Sequence, residues 1–476
     1  MSKPIIEIKN FNLGGIADSL YQGASNSLYA MVGFDIHNEP GILKVNQKLT
    51  KESGETVDDF VKKILPCSDG NTYLFGSTNG KIWKRTSAGV YSLEATASPA
   101  AGAVGIMDAA EYQGYIYYTM QSRIGRVAVG APTAWAGRDD SWATFTNTDA
   151  DFHPLKEKNR VLYCGDANYI AQIDAGVFSA NALDLKIPFR VKCFGEIGTD
   201  LLIGTYITAY KNSTNIFRWN TWSLDFQVDD PIPEIGINAF LATDNFSIAN
   251  CGKRGQLYLY TGAQLEQFKK IPGSWSEQSA LDMNPNAVFN KNGLPLFGLS
   301  YVDATGGNPA LQGIYSLGGY DRNYPKVLNL EWLISSGNSS KVQIGAIEMV
   351  GGILLVSWKD TTTGTVYGVD KLDTTAKTAT AYFETRQFAI DRKINTELSG
   401  VVAYRSLPAN CSINIYCKAN YAASWGSALT VVNDTDRKLI YLNEKLPEAS
   451  TIQIKVEVVA YLNTAPEIEG AFFDLM

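Results

Sequence analysis

Short β-hairpins follow one another in residues 64–93. The runs of alternating apolar and polar residues in this stretch are closed by the turn pairs Asp69-Gly70, Asn79-Gly80 and Ala88-Gly89. Such pairs between alternating runs are a strong short-range signal for a hairpin. A single meander cannot bury its apolar faces without neighbours, so the chain is expected to contain further copies.

Weaker copies of this pattern recur through the middle of the chain. Each combines apolar strands, glycine-containing turns and an aromatic-containing strand, and the units cover residues 64–93, 107–129, 159–180, 189–220, 246–273, 286–319 and 344–373. Their spacing of roughly 40 to 55 residues is that of a four-stranded propeller blade, and radial closure removes exposed sheet edges. We predict a six- or seven-bladed β-propeller over residues 59–380.

Segments of different character flank the repeats. Residues 1–58 contain a short apolar run followed by Gly-Gly and Asn-Glu-Pro-Gly turns, which predicts an extended N-terminal arm. The arm has too many apolar residues for a free tail, so it is expected to pack on its own propeller or on a neighbouring subunit. Residues 381–476 contain strictly alternating runs, which predicts a C-terminal β-sandwich. The predicted fold class is all-β.

Composition favours this fold class and argues against several partners. The chain has 42 Gly, 25 Tyr and 20 Phe with only 19% charged residues, which is typical of strands and tight turns. A net charge of -7 without a dense Lys/Arg block argues against tight nucleic-acid wrapping and against an anionic membrane surface. Because the sequence shows no signal-peptide pattern and no membrane segment, we expect a soluble, cytoplasmic chain.

Six cysteines lie far apart except the last two, and they form no C-x-x-C pair. Buried, reduced thiols are therefore expected, with neither a zinc site nor a disulfide framework. Asp166, Asp174 and the loop 360–373 offer oxygen ligands for calcium, but no EF-hand loop accompanies them. Turn roles are the better account of these residues, so we predict no metal and no cofactor.

Two groups of residues resemble tail-associated β-propeller structural proteins of tailed bacteriophages. The N-terminal group consists of Gly14, Gly15, Asn26, Gly33, Pro40, Gly41 and Leu43. The C-terminal group consists of Glu384, Thr385, Arg386, Phe388 and residues 466–470, which in the resembling proteins frame a C-terminal sandwich. The resemblance implies an arm, a propeller and a sandwich, in this order.

The same resemblance implies a non-enzymatic virion structural protein. It would be a tail or neck component, nozzle- or connector-like, assembled in the host cytoplasm. Its partners would be copies of itself in a ring and other tail or neck proteins. Where such a ring lines a channel, DNA would pass with passive contact only, because an acidic wall does not bind phosphates.

Few residues of the sequence are candidates for a catalytic site, which would be the alternative to a structural role. The chain has only two histidines, so a Ser-His-Asp or Cys-His site would need either His37, where a turn role is expected, or His153, which precedes Pro154. A propeller glycoside hydrolase would need two carboxylates. Its candidate pairs are Asp139-Asp140, Asp229-Asp230 and Asp149/Asp151. Adjacent loop carboxylates are usually solvated, so a catalytic role is the less expected one.

A host-receptor or glycan-binding tail module is the other alternative. It would use the sandwich, or tryptophans in or beside the insertions 131–151 and 219–235, where rings could stack on a glycan or pack on a partner. These candidate contacts are Trp135, Trp142, Trp219, Trp222 and Trp275. Packing within the blades would be the structural explanation for the same rings.

Overall fold

The structure is a computed structural model, and it describes residues 5–9, 11–17, 19–23, 27–39, 41–98, 105–147, 151–208, 213–243, 246–271, 281–301, 312–318, 327–336, 341–389, 396–420, 422, 424–428, 430–432, 439–446 and 449–475. The described residues form an all-β protein, as predicted, with strands numbered β1 to β41 in chain order. Six separate four-stranded sheets and two larger sheets contain these strands.

The N-terminal segment is divided between the two larger units of the fold. Its elements are β1 (Ile5–Ile8), the helical turn α1 (Phe11–Gly14), β2 (Leu28–Val32), β3 (Phe34–Asp35), β4 (Leu43–Val45) and β5 (Gln47–Lys51). Apart from β3, which pairs with β4, each strand pairs with one from far along the chain. The described part of residues 1–58 thus packs on the chain's own propeller and C-terminal unit, with its strands bonded within sheets.

The first three blades are antiparallel meanders. Blade 1 contains β6 (Val61–Pro66), β7 (Thr72–Gly76), β8 (Lys81–Arg85) and β9 (Tyr91–Thr96). Blade 2 contains β10 (Asp108–Tyr112), β11 (Tyr115–Thr119), β12 (Arg123–Ala128), a 3-10 turn (Trp135–Gly137) and β13 (Asp139–Thr144). Blade 3 contains β14 (Leu155–Lys158), β15 (Val161–Asp166), β16 (Tyr169–Asp174) and β17 (Val177–Asp184). Blade 1 is the hairpin stretch recognised in the sequence, and its turn residues Gly70 and Gly89 adopt φ values of 81° and 77°.

The next three blades continue the array. Blade 4 contains β18 (Arg190–Ile197), β19 (Asp200–Tyr206), β20 (Thr214–Trp219) and β21 (Val228–Ile232). Blade 5 contains β22 (Ile237–Ala242), β23 (Ser247–Cys251), β24 (Gln256–Tyr260) and β25 (Leu265–Lys270). Blade 6 contains β26 (Leu281–Asp282), β27 (Val288–Lys291), β28 (Leu294–Tyr301), β29 (Gly313–Gly318) and β30 (Val327–Trp332).

Blade 7 closes the ring with a strand from the N-terminal segment. It contains β31 (Val342–Val350), β32 (Ile353–Asp360) and β33 (Val366–Lys377), and β5 pairs antiparallel with β33 as its outermost strand. The inner strand β31 contacts β6 of blade 1. Across this boundary the Ser357 hydroxyl donates to the Val61 carbonyl at 2.8 Å. The described residues therefore form a seven-bladed propeller, the larger of the two predicted numbers.

Two sheets that share one core form the C-terminal unit. Its strands are β34 (Thr380–Thr385), β35 (Phe388–Ala389), β36 (Thr396–Ser406), β37 (Ser412–Ala419), β38 (Thr430–Val432), β39 (Leu439–Leu446), β40 (Thr451–Val459) and β41 (Glu467–Leu475). One sheet has the order β3-β4-β41-β36-β39, with β1 also on β41. The other contains β2-β34-β40-β37-β38. N-terminal strands thus extend both sheets of this unit.

A continuous hydrophobic core joins the propeller to the C-terminal unit. β2 lies parallel to β30 of blade 6 at Val32–Leu330 and antiparallel to β34, so one sheet runs from the blade into the C-terminal unit. The same core contains Ile248 of blade 5, Ile344 of blade 7 and Val456 of β40. We call the region where β2, β4, β30, β34 and β41 meet the seam.

Candidate functional site

The five tryptophans predicted as glycan contacts have different surroundings. Trp135 and Trp219 are buried, with 3% and 2% of their surface exposed, which corrects the prediction that they bind glycan. Trp135 packs edge-on against Tyr73, and Trp219 packs against Tyr163 and donates its indole N–H to the Ser223 carbonyl. Trp135 lies in the 3-10 turn of blade 2, which packs onto the blade, and Trp219 is the last residue of β20, where the loop that follows covers its ring.

The other three tryptophans are less enclosed or lie outside the described residues. Trp142 is half-buried, and the Arg126 guanidinium lies over its ring at 4.6 Å. Trp222 is 80% exposed at the tip of the loop between β20 and β21. Trp275 is outside the described residues. Of the predicted contacts that the structure describes, Trp222 alone presents an open ring.

Aromatic rings also surround a lysine on the outer face of the C-terminal unit. The Lys455 ammonium lies 5.4 Å from the centre of the Tyr382 ring, 4.5 Å from that of Tyr416 and 5.9 Å from that of Trp425. It also pairs with the Glu457 carboxylate at 2.9 Å. These rings stabilise an internal cation, so they are not arranged as a free stacking platform for sugar.

The two histidines take part in structural contacts. His153 is buried, its ring stacks on Phe145 at 3.7 Å, and Nδ1 and Nε2 lie 2.6 and 2.9 Å from the Gly165 and Gln121 carbonyl oxygens. His37 lies in the bend at residues 37–39, where the Asp35 carboxylate accepts from the His37 backbone N–H at 2.9 Å. The side chain of His37 extends into a polar network described below.

The paired carboxylates do not come together. Asp139 and Asp140 lie on β13 of blade 2, whereas Asp229 and Asp230 lie on β21 of blade 4. Both strands are outermost in their blades. Asp140 accepts hydrogen bonds from Tyr118 and Arg138. Asp149 lies outside the described residues.

A polar cluster joins blades of the propeller. The Asp108 carboxylate, on the inner strand of blade 2, accepts from the Asn286 amide of blade 6 at 3.1 Å and lies 3.7 Å from the Lys63 ammonium of blade 1. The same carboxylate accepts from the Leu155 backbone N–H of blade 3 at 2.8 Å. These contacts join four blades through one carboxylate.

A cavity lies on each side of this cluster. The smaller, about 30 Å³, is lined by residues that include Lys62, Phe152 and Lys192, and burial lowers the pKa of Lys62. The larger, about 230 Å³, is lined by Phe194, Phe240 and other residues. Its charged groups are compensated locally, because Lys156 and Lys158 pair with Glu196 at 3.5 and 3.3 Å.

A further cavity, about 580 Å³, lies beside the seam. The N-terminal segment, blade 6 and blade 7 all contribute to its wall; we call it the junction cavity and define it by His37, Lys44, Gln47, Lys291, Trp332 and Lys377. Its size is within the range of small-molecule sites, which occur preferentially where domains meet.

Glu331 anchors the base of the junction cavity. This buried carboxylate accepts from the Asn46 amide at 2.6 Å, the Asn329 amide at 2.9 Å and the Ser316 hydroxyl at 2.5 Å. His37 Nε2 lies 2.9 Å from the Ser316 oxygen and 3.3 Å from Glu331. The network links the N-terminal segment to blade 6 and fully satisfies the buried charge.

Sequence reasoning missed this network because its members are far apart in the chain. His37 and Ser316 are separated by 279 positions, and no local pattern connects them. One signal was present, since Glu331 interrupts the strongly apolar strand β30. A carboxylate within such a strand requires buried donors, although the sequence does not say which residues supply them.

Residues that carry the phage resemblance concentrate at the seam. Gly15 has a φ of 56°, and a Cβ there would lie 2.8 Å from Val327 of blade 6. Gly33 donates its backbone N–H to Leu330, and the Thr385 hydroxyl accepts from the Ile454 backbone N–H. Leu43 pairs with Ile468 of β41. Asn26 and Pro40 lie outside the described residues.

The six cysteines are free thiols, four of them buried. Within the described ranges no group of three or more His, Cys, Asp or Glu residues is placed to hold a metal ion. The same ranges contain no helix with the length and apolar character needed to cross a bilayer.

Comparison with known proteins identifies similar folds but no family. No protein-family model matches the chain, and no curated protein matches it. A structural neighbour is the extracellular domain of a protein named as a hybrid two-component system from B. thetaiotaomicron, with 12% identity, a TM-score of 0.48 and coverage of 76% of this chain and 43% of that one. This chain therefore spans less than half of that neighbour.

Two further neighbours match over nearly their full lengths. Virginiamycin B lyase from Staphylococcus aureus has 14% identity and a TM-score of 0.45, covering 68% of this chain and 98% of the lyase. The Pan2 WD40 domain of Neurospora crassa has 8% identity and a TM-score of 0.43, covering 70% of this chain and 96% of that domain. These are distant similarities of fold, and the propeller assignment rests on the sheet topology itself.

Proposed function

We propose that this chain is a non-enzymatic structural protein of a tailed-bacteriophage virion, acting as a tail or neck component. The observation that carries the proposal is the concentration of phage-like residues at the seam. Gly33 donates its backbone N–H there to Leu330 of blade 6, and Thr385 pairs with Leu28 of β2, so these residues join the N-terminal segment to blade 6 and to the C-terminal unit. These residues hold the propeller and the C-terminal unit in a fixed orientation. A chain built in this way is suited to a structural role, in which it holds its neighbours at fixed positions within an assembly.

In this proposal any DNA channel lies between copies of the chain. Asp108 of blade 2 and Asn286 of blade 6 are hydrogen-bonded to each other at 3.1 Å. A DNA duplex could not pass between these two side chains. The net charge of -7 suits a wall along which DNA slides without binding. A ring of copies would therefore enclose the DNA, with each propeller as a closed block in its wall.

Electron microscopy of the purified full-length chain, combined with peptide mass spectrometry of purified virions, tests this proposal. We expect rings of identical subunits, formed alone or with neighbouring tail proteins, and peptides of this chain in particles that survive density-gradient purification. A chain absent from purified particles, or a strict monomer in the presence of the other tail proteins, would contradict the proposal.

A glycan-binding tail module is the second candidate, favoured by Trp222. Its ring is 80% exposed on a protruding loop, and the neighbouring Leu224 is 98% exposed. Such rings stack on the apolar faces of sugars. Binding to a glycan array that is lost in Trp222→Ala and retained in the buried-ring control Trp219→Phe would support this candidate. Binding that is unchanged in Trp222→Ala would exclude this surface.

A further inference from the structure

We infer that the junction cavity binds a carboxylated sugar. Three lysines and two carboxylates line its wall, and the carboxylate that pairs with Lys44 lies just outside the lining residues. The inference does not rest on the virion proposal, because it uses only the chemistry of this cavity.

Both acids of the wall are satisfied within the protein. Glu331 accepts from Asn46, Asn329 and Ser316, as described above. Asp35 accepts from the backbone N–H groups of His37 and Asn38 and from the Asn38 side-chain amide. Their lone pairs are therefore largely used by fixed donors. A cationic ligand would have to compete with these donors, which disfavours a cation.

The lysines are compensated less completely. Lys44 pairs with Glu39 at 2.5 Å, so its charge is neutralised. Lys377 donates to the Val45 carbonyl at 2.8 Å, and Lys291 lies over the Trp332 ring at 5.7 Å. Neither Lys377 nor Lys291 forms an ion pair with a carboxylate among the described residues. Charge-assisted hydrogen bonds from these ammonium groups would hold an oxyanion.

The amides of the wall distinguish a sugar acid from a bare anion. Asn38 donates its NH₂ group to Asp35, and Gln47 donates its NH₂ group to the Thr374 carbonyl at 3.1 Å. The side-chain carbonyl oxygens of these amides remain as acceptors. Acceptors require a ligand with hydroxyl donors, and the ammonium groups require an anion. A carboxylated sugar combines both, in a cavity of about 580 Å³.

Isothermal titration of the full-length chain with D-glucuronate, D-glucose and inorganic phosphate tests the inference. We expect one glucuronate per chain, with glucose and phosphate at least tenfold weaker. Lys291→Gln should weaken glucuronate binding at least tenfold, whereas Lys291→Arg should retain it. Gln47→Ala, which removes an acceptor and no charge, should weaken binding of glucuronate but not of phosphate.

Lys253→Gln is the matched control, because Lys253 is an exposed lysine in the turn between β23 and β24 of blade 5. It should bind glucuronate as the unmodified chain does, and all variants should share its unfolding temperature. No heat of binding with glucuronate at millimolar concentration, or binding unchanged in Lys291→Gln, would overturn the inference. Phosphate binding as tight as that of glucuronate would overturn the assignment to a sugar acid.

Discussion

Arg85 and Glu52 form a buried ion pair between blade 1 and the segment that follows β5. The guanidinium donates to both carboxylate oxygens at 2.6 and 2.7 Å, and the Tyr91 hydroxyl donates to the same group at 2.7 Å. Both side chains are almost fully buried, with 2% and 3% of their surface exposed. The pair thus fastens the N-terminal segment to blade 1, while β5 itself lies in blade 7.

Replacing Arg85 by Met should destabilise the protein strongly. The change leaves the Glu52 carboxylate buried without its main partner, which costs about 3–5 kcal/mol. The double variant Glu52→Met/Arg85→Met removes both charges and should recover part of this loss. Urea unfolding of the three proteins measures the effect. A single variant that loses less than about 1 kcal/mol would show that the pair does not fasten the segment.

Two acids on the outer face of the C-terminal unit should respond to pH with opposite signs. Burial raises the pKa of Glu384, although Lys455 and Lys418 oppose the effect. Burial also acts to raise the pKa of Glu457, but hydrogen bonds from Lys455 and Asn414 outweigh it and lower the pKa. The folded protein therefore binds a proton more tightly than the unfolded chain at Glu384 and less tightly at Glu457.

The glutamine variants should reveal these signs. Because the pKa of Glu384 is raised in the folded protein, ionisation of Glu384 destabilises the fold as pH rises from about 4 through the folded pKa. Glu384→Gln should therefore unfold at a higher temperature than the unmodified chain at pH 7. Glu457 contributes stability above its unfolded pKa, and Glu457→Gln should unfold at a lower temperature at pH 7. Both differences should shrink towards pH 4. Calorimetry across this pH range measures both unfolding temperatures. If both variants shift the unfolding temperature in the same direction, the opposite pKa shifts of Glu384 and Glu457 are contradicted.

Residue-level prediction from sequence was weakest for side chains whose surroundings are set by long-range contacts. Trp135 and Trp219 lie in or beside insertions, where exposure is a reasonable expectation, yet neighbouring strands cover both rings. The sequence predicts a turn role for His37, and His37 does lie in a bend, but its contact with Ser316 has no local signal. Local patterns report backbone turns better than they report burial.

At the scale of elements, β5 is the strand that completes the ring. It pairs with β33 over residues 47–51, and Leu49 is buried against the blade. Without it β33 would present an unpaired edge, which invites association with other chains. The hairpins of the blades could be predicted from sequence because the two strands that each turn connects are neighbours in the chain. The pairing of β5 with β33 has no such local signal.

Removing residues 1–51 should therefore prevent formation of a stable monomer. The truncation deletes the outer strand of blade 7 and the strands β1, β2 and β4 that pair in the C-terminal unit. We expect the truncated chain to be aggregated or readily cleaved by protease, as measured by size-exclusion chromatography and limited proteolysis. A monodisperse, protease-resistant truncated chain would show that these strands are dispensable.

The C-terminal unit should likewise fail to fold from residues 381–476 alone. In the full chain β34 pairs with β2, and β41 pairs with both β1 and β4. The isolated segment lacks these three partners and exposes the edges that they cover. Its amide signals should be poorly dispersed in a proton–nitrogen correlation spectrum, and addition of a peptide of residues 1–51 should improve them. A well-dispersed spectrum from the segment alone would contradict this expectation.

The whole molecule should unfold as one cooperative unit. Buried side chains of blades 5, 6 and 7 share a core with both sheets of the C-terminal unit, so neither part can lose its packing independently. Differential scanning calorimetry should give a single transition, with the calorimetric enthalpy close to the van't Hoff enthalpy. Two resolved transitions, one for each unit, would show that the seam does not couple them.

The pairing of the first strand with the last has a consequence for how the protein is made. β1 bonds to β41 from Ile5–Asp474 to Ile8–Ala471, and β5 bonds to β33, so β1 and β5 need partners that are translated much later than they are. Individual blades can form during synthesis, but the ring stays open until β33 has been translated. A chain that stops before β33 would leave β5 unpaired and the ring open.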